Sequence, residues 1–134
     1  MPLEIKTGYK VLVAQAEAEI ETISVEQALA LQDDPNVLFV DLRDVRELKH
    51  EGFIPGAFHA PRGMLEFWVD PESPYYKDIF ASGKRFVFYC NLDWRSAMAT
   101  QVMQQMGLSP VCHIEGGFDA WKNAGGSVAQ KKSR

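Results

Sequence analysis

Phe86-Val87-Phe88-Tyr89-Cys90-Asn91-Leu92-Asp93-Trp94-Arg95-Ser96 is the stretch on which the reading of this chain turns. The apolar run that opens it reads as a buried strand, and the residues from Arg95 onward read as a helix. Cys90 therefore falls on a short loop between a strand's carboxyl end and a helix amino terminus. Backbone N–H groups and the helix dipole favour an anion at such a place. A thiol there is pushed toward thiolate, the nucleophilic form. The junction, with Arg95 beside it, favours chemistry over the alternative of a small buried hydrophobe.

The flanking sequence repeats the pattern. Val37-Leu38-Phe39-Val40 is another continuous apolar run, expected to be a strand buried on both faces that delivers Asp41 at its end. Pro110 to Ile114 is a final short strand, and Glu21-Thr22-Ile23 is a first one. Between them lie helical patterns. Tyr9, Leu12, Val13, Ala16 and Ile20 share a helix face, Ser24 with Gln27 forms a capping box, and Asp44 to Lys49 is a short helix stopped by Gly52. Arg62 to Trp68 and Tyr75 to Phe80 read as short helices, and His59 sits on an extended piece. The helix after Cys90 is expected to bury Ala97, Met98, Val102 and Met106 and to stop at Gly107. Phe118 to Ala124 forms the last helix. Apolar strands alternating with helices predict an α/β fold, a parallel sheet covered by helices on both faces. Ligands in such folds bind at the carboxyl ends of strands, where Asp41 and Cys90 both fall.

The bulk numbers exclude several classes. With 134 residues, 46% hydrophobic content and a net charge of −4, the chain reads as one globular domain with no basic field for nucleic acid. No apolar segment is long enough to span a membrane and no leader is evident, so the protein is read as soluble and cytoplasmic. Cys90 and Cys112 form no CxxC, and neither a metal nor another cofactor is called for. A disulfide between them is left open with little support. The organisation expected is a helical extension over 1–21, a domain over 22–128 and a basic flexible tail over 129–134.

Three blocks carry a family resemblance. Asp41-Leu42-Arg43-Asp44, then Glu47 and Gly52-Phe53-Ile54-Pro55-Gly56-Ala57, form the first. The Cys90–Arg95 loop is the second, and Glu115-Gly116-Gly117-Phe118 with Ala120-Trp121 and Ala124-Gly125 is the third. In this order they resemble the rhodanese (sulfurtransferase) superfamily, single-domain bacterial type. The resemblance implies a central five-stranded parallel sheet and a sulfurtransferase. Cys90 would take the outer sulfur of a donor such as thiosulfate and hold it as a persulfide. A thiophilic acceptor, cyanide or a small or protein thiol, would then remove it. The N–H groups of Asn91, Leu92, Asp93, Trp94 and Arg95 would stabilise thiolate and persulfide. Nucleic acid and membrane are not expected partners, and the oligomeric state is open, a dimer included.

Some residues depart from the pattern or read two ways. Asp93 stands where the family often has glycine. A carboxylate facing the pocket there would weaken attraction for an anionic donor. Phe53 replaces a histidine, read as a packing change. Arg95 reads as an anion site or as the partner of an acid such as Asp93. Asp41 and Arg43 read equally as a structural ion pair or as substrate contacts. Arg62 and Glu66 read as the pocket mouth or as a solvated helix face, and Trp94 as an apolar lid or half-exposed packing. Cys112 and Trp121 read as core, and His50, His59 and His113 as isolated surface or core histidines. Three other functions compete: a non-catalytic docking module, a cysteine phosphatase (whose loops resemble this one but are a residue longer) and, less so, an arsenate reductase.

Overall fold

Local sequence sets the elements, and the sheet gathers them. A computed structural model describes residues 2–131; the expected basic tail thus lies partly outside the described residues, from Lys132 onward. Five strands, β1 (Glu21–Ile23), β2 (Val37–Asp41), β3 (Phe58–His59), β4 (Arg85–Tyr89) and β5 (Val111–Ile114), form one sheet in the order β1-β5-β4-β2-β3. Every pairing is parallel. The helices are α1 (Tyr9–Glu19), α2 (Val25–Leu31), α3 (Val45–Glu51), α4 (Leu65–Val69), α5 (Trp94–Met106) and α6 (Gly117–Asn123).

The pleat sorts alternate side chains into two cores. On one face Phe39, Val87, Tyr89, Cys112 and Ile114 pack against Ala28 of α2 and Phe118 and Trp121 of α6. On the other, Val40, Phe86, Phe88 and Val111 pack against Leu65 of α4 and Ala99 and Met103 of α5. Each fully buried large side chain contributes about 1.5–3 kcal/mol. β4 lies at the centre and is buried from Phe86 to Tyr89. Val37 and Leu38, at the start of β2, are only half-buried: Val37 pairs with the partly exposed Arg85 at the sheet's amino end.

Helix ends follow the predicted signals. Ser24 and Gln27 complete the expected capping box on α2, and α3 carries a second, unforeseen one from Asp44 and Glu47. α5 stops at Gly107, whose φ of 102° suits glycine and lets Leu108 N–H return to the Met103 carbonyl. Two further expectations fail. The helix over Tyr75–Phe80 shrinks to a 3₁₀ turn at Asp78–Ala81, because Lys77 N–H donates to the Trp68 carbonyl at 2.8 Å and holds Lys77 extended. The stripe on α5 is also different. Ser96, Ala97, Ala99, Thr100 and Met103 are buried while Met106 is exposed. α5 is enclosed by the sheet on one side and by α1 on another, and small residues permit that approach. Val13 and Ala16 of α1 meet Ala97 there, and Glu19 receives hydrogen bonds from Gln101 and Gln104. Near the other end, Ala129 and Phe53 exchange two backbone hydrogen bonds.

Candidate active site

Parallel strands place β2 and β4 side by side, so their carboxyl ends present Asp41 and Cys90 on one edge. The loop after Cys90 is shaped from outside by the start of α6. The carbonyls of Cys90 and Asn91 accept from Phe118 N–H (2.8 Å) and Asp119 N–H (3.1 Å). Gly117 makes that approach feasible: at φ +57° its absent Cβ would collide with the carbonyl oxygens of Cys90 and Leu92. With its carbonyls turned toward α6, the loop keeps its amides free. None of the N–H groups of Asn91 to Arg95 has a protein acceptor among the described residues. Such a run of free amides makes a concavity suited to an anion.

Asp93 does not occupy the glycine-like conformation that the family pattern raised. Its φ is −128°, outside the left-handed region, and its Oδ1 accepts from Gly116 N–H at 2.7 Å. The carboxylate braces the loop against the turn before α6.

Cys90 Sγ receives the Ser96 N–H at 3.4 Å, from the first turn of α5, and lies 3.6 Å from Ser96 Oγ. That hydroxyl is 2.8 Å from His113 Nδ1, and His113 Nε2 is 3.0 Å from Thr22 Oγ1 on β1. His113 is therefore buried and satisfied but not isolated. Burial lowers its pKa, against the opposing charge of Asp93, and holds the ring neutral.

Arg95 pairs with Glu47 rather than Asp93. Its Nη1 and Nη2 reach the two carboxylate oxygens at 2.7 and 3.0 Å. The bidentate contact holds the Glu47 carboxyl below the usual range and raises Arg95. Asp41 and Arg43 form a wholly buried pair: Nε and Nη2 contact Oδ1 and Oδ2 at 3.0 and 2.8 Å, and Nη2 also donates to the Gly52 carbonyl at 2.7 Å. The guanidinium lies 4.3 Å from the Phe118 ring centroid. All of these contacts are structural, tying β2 to the end of α3. Arg62 is bound to Glu66 at 2.7 Å.

A cleft of about 200 Å³ opens beside Cys90, lined by Cys90, Asn91, Leu92, Trp94 and Arg95. Asp41, Arg43 and Arg62 are not among its walls. Trp94 leans on Tyr9 of α1, with ring centroids 4.8 Å apart. Cys112 is a free buried thiol whose pKa burial pushes up to about 11, consistent with a core role. Sequence reasoning left out Glu47, Ser96 and His113 as site residues. The usable signal for His113 was a polar residue at an inward position of β5, where its face neighbours Val111 and Phe88 are apolar. Glu47 was visible only as one residue of the first family block.

These features define an α/β protein with a buried cysteine, followed by a loop of free amides, at the end of a central strand. The rhodanese-like domain profile matches residues 24–124, and the chain belongs to that family. A solved protein of unknown function from Rhodopseudomonas palustris, described as a possible tyrosine phosphatase, is 50% identical. It covers 96% of this chain and 99% of its own, with a TM-score of 0.94. The polysulfide-sulfur transferase homodimer from Wolinella succinogenes is 26% identical over 94% of this chain and 90% of its own, at a TM-score of 0.69. A thiosulfate sulfurtransferase from Pseudomonas aeruginosa, 23% identical at a TM-score of 0.71, shares the fold over 94% of this chain and 23% of its own. An uncharacterized Synechocystis protein is 31% identical over 84% of this chain, which spans 58% of that relative's length. No helix among the described residues is long and apolar enough to cross a membrane.

Proposed function

We propose that the protein is a sulfurtransferase that carries sulfane sulfur on Cys90. The observation that supports this most is the seat of Sγ: at the start of α5, within 3.4 Å of the Ser96 N–H, beside amides with no protein acceptor. The Cys90 thiolate attacks the outer sulfur of a donor such as thiosulfate. The donor's S–S bond breaks, sulfite leaves with the bonding pair, and Cys90 is left as a persulfide. An acceptor thiolate then attacks the outer sulfur, and Cys90 departs as thiolate while the acceptor becomes the persulfide. The loop amides face both charged states and need no reorganisation between them. Family membership and the sulfur-transferring neighbour from Wolinella support this reading.

A phosphatase reading takes its support from the description of the 50% identical neighbour. It is the weaker one, because both oxygens of Glu47 occupy the fork of Arg95 that a phosphate ester would need. Mass spectrometry after incubation with thiosulfate, and in parallel with other sulfane donors, separates the two. A gain of about 32 Da on Cys90, absent from Cys90→Ala, is expected. No adduct with any donor, together with hydrolysis of an aryl phosphate, reverses the assignment.

A further inference from the structure

The same cleft carries a statement about which sulfur donor it takes, one that rests on the sulfurtransferase reading. Its charges cancel locally. Among the described residues, Arg95 is the one cationic side chain on its walls, and Glu47 binds it through both oxygens. Asp93 is turned to the Gly116 amide. A dianion such as thiosulfate therefore meets the loop amides without an uncommitted guanidinium, on a chain of net charge −4.

The rim is apolar. Leu92 and Trp94 line the cleft yet are 49% and 53% exposed. Tyr9, itself 49% exposed, packs against Trp94 at a tilt of 58° from α1, outside the segment matched by the family profile. Exposed aromatic and aliphatic side chains beside a nucleophile offer contact surface to an apolar substrate body. Size agrees: a cavity of roughly 150 Å³ accepts a benzene ring, and this open cleft measures about 200 Å³.

We infer that the preferred donor is a monoanionic sulfane compound with an apolar, aryl-sized body, seated between Leu92 and the Trp94–Tyr9 pair. Arylthiosulfonates have this chemistry. The Cys90 thiolate attacks the terminal sulfur and the bond between terminal and sulfonyl sulfur breaks. The arylsulfinate leaves with the electron pair, and the transferred sulfur stays on Cys90 as a persulfide.

The test compares benzenethiosulfonate, methanethiosulfonate and thiosulfate as donors to the full chain, reading kcat/KM with cyanide as acceptor and the Cys90 adduct by mass. The first two share charge and leaving-group type, so their ratio reports the apolar body. That ratio is expected to exceed about ten and to fall roughly three- to tenfold in Tyr9→Ala, Leu92→Ala and Trp94→Ala. Glu47→Gln, which releases Arg95, is expected to raise thiosulfate relative to methanethiosulfonate. A ratio near one, or a ratio unmoved by all three rim substitutions, overturns the aryl site while leaving the sulfurtransferase intact. Failure of every donor to load Cys90 overturns the sulfurtransferase reading itself.

Discussion

Two arginine–carboxylate pairs stand near the carboxyl edge of the sheet, and they differ in solvent. Arg43 and Asp41 are 0% and 1% exposed at their side chains, whereas Arg95 and Glu47 are 41% and 27% exposed. The first pair is sealed behind Phe118 and tied to a backbone carbonyl. The second joins Arg95, on the wall of the cleft, to a Glu47 carboxylate that water reaches and screens. The same two chemical groups thus serve as a sealed structural rivet in one place and as a solvent-screened, mutually neutralised pair beside the cleft in the other.

Breaking the rivet produces the largest effect. Arg43→Met leaves Asp41 charged and buried, and is expected to cost about 3–5 kcal/mol in denaturant unfolding. Adding Asp41→Asn should recover a large part of that loss. The Asp93 brace comes next: Asp93→Ala removes the acceptor of the Gly116 N–H and should cost about 1–2 kcal/mol while slowing persulfide formation, both read on one preparation. Arg95→Ala should move stability by less than about 1 kcal/mol. Its effect lies in rate, because Glu47 is left uncompensated beside the cleft. Loading of Cys90 by thiosulfate should slow roughly tenfold. Unchanged kinetics would place Arg95 with Arg43 as a structural residue.

The smallest effect concerns pH. The unfolded chain protonates His113 near its ordinary value of 6.5, while burial lowers the folded value. Folding thus excludes a proton there. This contribution is complete above that ordinary value and is lost as pH falls below it. Between pH 7.5 and 5.5 the urea midpoint should drop in the native protein and drop less in His113→Gln. Equal slopes would show that the ring titrates freely in the fold.

Much of the architecture was legible because it is written in local pattern. The runs at Phe86 and Val37, the capping box at Ser24 and the stop at Gly107 each act within a few residues. The elements they predict are present. The α5 stripe was read correctly at Ala97 but missed the small residues Ser96, Ala99 and Thr100 on its buried face and took the exposed Met106 as core. A scan for large apolar residues passes over such a face, though close packing requires it. The brevity of the turn at Asp78–Ala81 followed from a hydrogen bond to Trp68, which sequence proximity does not reveal.

By itself, the sequence determined that a cysteine stands between a strand's end and a helix's beginning, since both elements follow from side-chain periodicity. Only the tertiary structure decided what surrounds that sulfur. Glu47 is 48 residues from Arg95, Gly116 is 23 from Asp93, and Thr22 is 91 from the His113 that backs Ser96. These partners meet because β5 lies between β1 and β4 and because α6 starts against the loop. Charge and hydrogen bonding act over a few ångströms of space, and the order of strands in the sheet sets those distances.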